Sequence, residues 1–189
     1  MEKFINYILQ FGHLNQSQID LIKGSVKFNE ISQGSFYQEA GDIPREVIFI
    51  NEGVFRVCYY NEKGDEITKY FLDEYKLVAD INCYNQGIAS TEYVQAVTDC
   101  KYIALSKTSM DELSKTIVEW DKIIQKITAK GMATKINNIS SMMSEDATER
   151  YLKFLSYFPN LANRIPLSYL ASYIGITQSS LSRIRKKLH

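Results

Sequence analysis

The chain has 189 residues, 45% apolar and 12% aromatic, enough for one large domain or for a medium and a small one around a packed core. Its 22 Lys and Arg balance 22 Asp and Glu, so net charge singles out no partner. Cys58, Cys83 and Cys100 are odd in number and widely spaced, which argues against a disulfide scaffold and a cysteine-rich metal site.

The first ten residues, Met1 to Gln10, form a short amphipathic pattern with no apolar core and no small-residue cleavage site, so they do not read as a signal peptide. No stretch approaches the roughly 18 apolar residues of a membrane span. A cytoplasmic protein with no membrane partner is expected. Glu2 to Gln10 and Gln16 to Lys23 read as two short helices.

From Val26 to about Ser106 the texture changes to short β-rich runs punctuated by Gly, Asn and Asp. The clearest are Val47 to Ile50, Val54 to Tyr60, Ile67 to Leu72, Tyr93 to Val97 and Tyr102 to Leu105. Asn61-Glu62-Lys63-Gly64-Asp65 reads as a hairpin loop, with Gly64 free to take the positive φ such a loop demands. Regular short strands of this kind predict an antiparallel sandwich or barrel.

Strand signals stop after Lys107. Thr116 to Met143 reads as one long helix with no Pro and a single Gly131. It carries two apolar stripes, Ile117, Trp120, Ile124 and Ile127, then a rotated set of Met132, Ile136, Ile139 and Met143. A lone surface helix needs only one stripe. One stripe can rest on the chain's own barrel and the other on a second copy, so a homodimer through the 116–143 helix is expected; the bland alternative is a helix buried within one chain. Ser144-Glu145-Asp146 looks like a helix stop followed by an acidic helix start, and so a hinge. Ala147 to Phe158 is the next helix, ended by Pro159-Asn160.

Pro166 to Leu188 carries the functional signal. Two helices crossing at a tight turn need a small residue where their backbones approach, here Ala171, and a residue tolerant of positive φ in the turn, here Gly175. Leu170, Ile174, Ile176, Leu181 and Ile184 supply apolar positions around them. Thr177 is a good N-cap for the second helix, and Pro166 suits the start of the first. The second helix exposes Gln178, Ser179, Ser182 and Arg183 at its start, which are able to reach base edges. Cations follow, so Arg185, Lys186 and Lys187, with Thr177 and Arg164, are the expected phosphate contacts. From Ala147 to His189 seven bases stand against one acid, so the positive charge gathers beside this motif. An ordinary helical hairpin would have to produce the small residue, the glycine, five apolar positions and a cationic face together. Double-stranded DNA is the expected partner.

With these residues in hand, the chain resembles the Crp/Fnr family of bacterial transcription factors over essentially its full length. Leu181-Ser182-Arg183-Ile184-Arg185-Lys186-Lys187-Leu188 is similar to a recognition helix of that family. The turn glycines in Ile31-Ser32-Gln33-Gly34, Gln38-Glu39-Ala40-Gly41-Asp42 and Phe49-Ile50-Asn51-Glu52-Gly53 are similar to its β-roll. The resemblance implies an α+β chain in three parts. Residues 1–115 would form an antiparallel, cyclic-nucleotide-binding-type β-roll of jelly-roll kind, 116–145 the dimerisation helix and hinge, and 146–189 a winged helix-turn-helix. Asn160 to Ile165 is the only room for a wing, so the wing is expected to be minimal, with phosphate contacts resting on the helix ends and Arg164.

The family's ligand motif is degenerate here. Where cyclic-nucleotide binders carry Gly-Glu for the ribose and then Arg with Ser or Thr for the phosphate, this chain has Ala79-Asp80 and Ser90-Thr91, followed by Glu92. A cyclic phosphate would lose its bidentate cation and meet a carboxylate instead. The chain is therefore expected not to answer to cyclic AMP or cyclic GMP, to hold no cofactor, and to leave the pocket to an unidentified effector or to none. Iron–sulfur and haem sensing also lack their parts, since the first cysteine is Cys58 and the only histidines are His13 and His189.

The expected function is a homodimeric regulator on a near-palindromic operator, with RNA polymerase a further partner if it activates. A small-molecule sensor module with weak or secondary DNA binding is the alternative. Two histidines without a Ser-His-Asp set, no P-loop and no metal-ligand spacing speak against an enzyme. Asp80 with Glu92 could be paired carboxylates, but a lost ligand motif accounts for them with less invention.

Overall fold

A computed structural model describes the backbone of residues 1–142 and 145–188, and the side chains of 1–136 and 145–188. Two helices open the chain, α1 (Glu2–Leu9) and α2 (Gln16–Gly24). Asn15 starts α2 with a capping box, its side chain accepting from the Gln18 amide at 3.0 Å while the Gln18 side chain accepts from the Asn15 amide at 2.9 Å.

Eight strands follow: β1 (Lys27–Ile31), β2 (Phe36–Gln38), β3 (Glu46–Glu52), β4 (Phe55–Tyr60), β5 (Glu66–Leu72), β6 (Leu77–Val78), β7 (Tyr93–Ala96) and β8 (Cys100–Ser106). A short helix, α3 (Ile81–Gln86), lies between β6 and β7. The strands form two antiparallel four-stranded sheets, β1-β8-β3-β6 and β2-β7-β4-β5. The architecture is α+β, with the expected β-roll.

Alternation along the strands builds the layers. Ile48 and Ile50 of β3 meet Phe55 and Val57 of β4 and Val94 and Ala96 of β7 between the sheets. Phe49 of β3, with Ile103 and Leu105 of β8, faces the other way, onto Phe4, Ile8 and Ile22 of the N-terminal helices. That two-sided burial explains why Val47-Ile48-Phe49-Ile50 is an unbroken apolar run.

Helix α4 (Lys107–Thr116) then leads into α5 (Trp120–Met142). The single helix expected from Thr116 is thus two helices, broken at Ile117 to Glu119. Thr116-Ile117-Val118 is a β-branched run with little helical preference. Ile117 and Trp120, both 1% exposed, are drawn into the core under the first sheet together with Leu113, Ile123 and Ile127. Farther along α5, Met132 and Ile136 are exposed. The side chain of Ile139, and Met143, from the same expected stripe, and Ser144 of the expected hinge lie outside the described residues.

Helix α6 (Ala147–Tyr157) begins on a second capping box, between Asp146 and Glu149. Residues 159–164 form turns rather than a wing, and Leu161, Ala162 and Ile165 are buried. Among the described residues no strand pair accompanies the last two helices, α7 (Leu167–Ile174) and α8 (Gln178–Leu188). No described helix is long and apolar enough to cross a membrane.

Candidate DNA-reading helices and effector-type pocket

Helices α7 and α8 pack as the sequence predicts. Leu170, Ala171 and Ile174 of α7 and Leu181 of α8 are buried, with Ile176 and Ile184 packed against them. Gly175 closes α7 at φ 77°, its amide donating back to Ser172 while the Ile176 amide donates to Ala171. A Cβ at Gly175 would meet nothing within 4 Å, so backbone conformation rather than space demands the glycine. Thr177 caps α8, its Oγ1 accepting from the Ser180 amide at 3.2 Å.

Gln178, Ser179, Ser182 and Arg183 are all exposed at the start of α8, and Lys186 and Lys187 are exposed at its end, while Arg185 is half-buried. The Arg183 guanidinium lies along its own helix, donating to the Ser179 carbonyl and to Ser180 Oγ. Upstream bases are engaged inside the chain. Arg150 donates to the carbonyls of Ile174 and Glu145, Lys153 pairs with the Glu145 carboxylate at 2.6 Å, and Arg164 makes a two-pronged pair with Glu74. Arg164 is exposed and shares its guanidinium with the Glu74 carboxylate. The outward positive charge of this unit is concentrated on α8.

Glu74 belongs to the turn after β5, and its pairing marks a seam that the sequence did not reveal. The outer face of the β2-β7-β4-β5 sheet receives the C-terminal helices. Val54, Phe71 and Val97 pack with Tyr151, Phe154, Phe158, Leu170 and Ile174. Ser172 of α7 meets β5, the edge strand, accepting from the Thr68 amide at 2.9 Å and donating to the Glu66 carbonyl at 3.2 Å. Arg56 of β4 is 1% exposed. It donates to Gln95 Oε1 from Nε at 2.8 Å and to Thr68 Oγ1 at 3.2 Å, pairs with Glu66 at 2.6 Å, and lies 3.4 Å from the centre of the Tyr169 ring of α7. One signal was present: Arg56 interrupts the apolar run from Val54 to Cys58. In a strand, though, an isolated base reads as an alternating solvent-facing position.

The degenerate ligand motif is drawn together as its positions imply. Asp80 caps the N-terminus of α3, accepting from the Cys83 amide at 3.2 Å and from Ser90 Oγ at 2.8 Å. Partial burial works against ionisation of Asp80, but the bonds from Ser90 and the Cys83 amide outweigh it and hold the carboxyl below its ordinary range. Glu92 pairs with Lys69, and its amide donates to Ser90 Oγ at 3.2 Å. Lys135 of α5 reaches in, 4.3 Å over the Tyr70 ring, and donates to its hydroxyl at 2.9 Å. Ala79 and Thr91 flank these groups without a side-chain bond of their own among the described residues. A helix N-terminus attracts anions; here the chain's own carboxylate already stands there.

Cys58 and Cys100 are buried, and burial pushes both thiols up, which disfavours reactive thiolate. Among the described residues no cluster of three His, Cys, Asp or Glu is placed to hold a metal.

Residues 28–116 match the cyclic nucleotide-binding domain family. No curated protein matches the chain by sequence. Among solved structures it is similar to FixK2 of Bradyrhizobium japonicum, at 15% identity and TM-score 0.76 over 87% of this chain and 84% of that one. The c-di-GMP-responsive global regulator CLP of Xanthomonas campestris matches at 14% identity and TM-score 0.72, over 92% of this chain and 91% of that one. A protein of Eubacterium rectale assigned to the Crp/Fnr family of transcriptional regulators matches at 16% identity and TM-score 0.71, over 96% and 87%.

Proposed function

We propose that this chain, which carries a cyclic nucleotide-binding domain at residues 28–116 and has the fold of Crp/Fnr transcriptional regulators, is a sequence-specific DNA-binding regulator that works as a homodimer without cyclic AMP. The observation that carries this reading is α8. Its first turns present Gln178, Ser179, Ser182 and Arg183 to solvent, and Lys186 and Lys187 follow on a helix held by the buried contacts of Leu181. Two such helices related by a two-fold axis would enter successive major grooves about 34 Å apart. Gln178, Ser179, Ser182 and Arg183 would touch base edges, with Arg183 suited to a guanine. Thr177, Arg164, Arg185, Lys186 and Lys187 would contact phosphates, Arg164 by exchanging Glu74 for a phosphate.

Independence from cyclic AMP is supported by Asp80 and Glu92. Where the resemblance puts the phosphate-binding arginine stands Ser90, whose hydroxyl is spent on the Asp80 carboxylate, and Glu92 follows two residues later, so a cyclic phosphate would lose its bidentate cation there. Calorimetry with cyclic AMP and cyclic GMP is expected to give no micromolar binding.

The direct test is selection. Purified, ligand-free protein is incubated with fragmented genomic DNA from its source, and the bound fragments are sequenced. A two-fold-symmetric motif with half-sites about one helical turn apart is expected. Only salt-sensitive background binding, with no motif, would overturn the ligand-free reading.

A further inference from the structure

We propose that Arg56 and Tyr169 are positioning residues that fix the angle at which α8 is presented, and thereby the half-site spacing that the protein accepts; this rests on the DNA-reading role of α8. Three features of the seam carry it. First, docking uses α7 and leaves the polar face of α8 exposed, so the contact orients the reading helix without covering it. Because α7 and α8 share a buried core and a three-residue connection turned at Gly175, holding α7 holds α8.

Second, the apolar part of the seam cannot set an angle alone. Contacts among Phe71, Phe154 and Tyr173, with ring centroids 5.5 to 6.0 Å apart, prefer edge-to-face or tilted geometry, but such preferences are shallow beside those of charged hydrogen bonds. Direction comes from the polar groups. Ser172 occupies a backbone donor and acceptor on the edge strand, and the planar Arg56 guanidinium is flat against Tyr169 while its N–H groups are claimed by Gln95, Thr68 and Glu66.

Third, burying a guanidinium is costly, and its partners do little more than repay that cost. Arg56 thus adds geometry rather than adhesion. If α7 shifted, the same charge would lose its aromatic face. In a two-fold dimer an angular error at the seam is applied to both heads, so it enters the distance between recognition helices twice. Spacing is where a loosened seam shows.

The test uses the full chain and duplexes carrying the two-fold motif recovered from genomic selection, with the half-site spacing varied one base pair at a time, plus one duplex with a single half-site. Wild type is expected to prefer one spacing. Tyr169→Leu and Arg56→Met are expected to flatten the profile, losing about tenfold at the preferred spacing if the competent orientation falls to about a tenth of the population, with single-half-site affinity unchanged. Tyr169→Phe, which keeps the ring, is expected to keep the profile. Ser172→Ala, a milder change that removes both edge-strand bonds, guards against misfolding of the larger substitutions and is expected to flatten the profile in part. A sharp preference shared by wild type and all variants overturns the positioning role alone, as does a uniform loss at every spacing and on the single half-site. No spacing preference in wild type overturns this inference and leaves DNA reading standing, whereas failure of genomic selection to return any motif overturns the DNA-reading role on which it rests.

Discussion

At Gly175 the backbone stands at φ 77°, and an added Cβ would touch nothing within 4 Å, so the effect of a side chain there is conformational strain alone. Gly175→Ala is expected to lower stability by about 1–2 kcal/mol in urea or thermal unfolding, and Gly175→Asn by less, since Asn tolerates this region. An unchanged midpoint would mean that the turn relaxes out of the left-handed region. On the exposed side of the same helix pair, single residues divide by task. Arg183 is toward the start of α8 and Lys187 at its end, and the proposed function gives the first a base edge and the second a phosphate. In binding assays Arg183→Ala should cost roughly 1–3 kcal/mol on the cognate site and relax preference at one base position. Lys187→Ala should weaken cognate and random DNA alike and make the salt slope shallower by about one. Equal losses for both variants on both kinds of DNA would contradict that division.

Between elements, the pair of Arg164 with Glu74 joins the turn before α7 to the turn after β5. The Arg164 guanidinium holds the Glu74 carboxyl at about 2, against its ordinary 4.5, despite partial burial that works the other way. A carboxyl depressed in the folded state stabilises that state at neutral pH, and the contribution is lost as pH falls from about 4.5 through about 2. Both partners are partly solvated, so the effect is modest. Glu74→Gln should lower the urea midpoint at neutral pH and flatten its fall across that acid window. If wild type and variant fall in parallel, the pair carries no linkage. The residues on either side of this seam show what sequence can and cannot convey. Strand β3 was legible because burial on both faces leaves an unbroken apolar run, β4 because its apolar and aromatic residues outweigh the single Arg56, and α7 and α8 because Ala171, Gly175 and five apolar positions have to coincide. Edge strand β1 was not, since its Phe28 is 61% exposed and its burial pattern never alternates cleanly. Helix α4 buries only Leu113 fully and so shows no stripe. The exposed polar face of α8 could be named from its pattern, whereas the seam depends on which sheet face α7 meets. Arg56, Glu74 and Ser172 acquire their roles only in three dimensions.

Across the whole molecule the unsettled surface is the far half of α5. Among the described residues, Ile127 is the last of this helix buried in the core beneath the first sheet. Beyond it Met132 and Ile136, four residues apart and so on one face, are 51% and 65% exposed. Lys135 is turned to Tyr70 of the β-roll, and Met132 and Ile136 are without full cover from the described residues. A second copy is the proposed cover, since two antiparallel sheets and a docked helix pair supply only one reading helix, and one helix reads too few base pairs for a unique site in a genome. Ile136→Lys introduces a charge at the centre of that face without touching the described core. Sedimentation velocity should then show a shift from dimer to monomer. Affinity for the two-fold site should fall by the avidity lost when the heads are unlinked, which can reach 10²- to 10⁴-fold, while affinity for a single half-site stays level. A variant that remains dimeric and keeps full affinity would place the dimer contact elsewhere and leave Met132 and Ile136 as ordinary surface apolar residues. A variant that becomes monomeric yet binds the two-fold site as tightly as wild type would show that each head reads its half-site independently, and no alignment across the two-fold axis would then be required of the seam at Arg56.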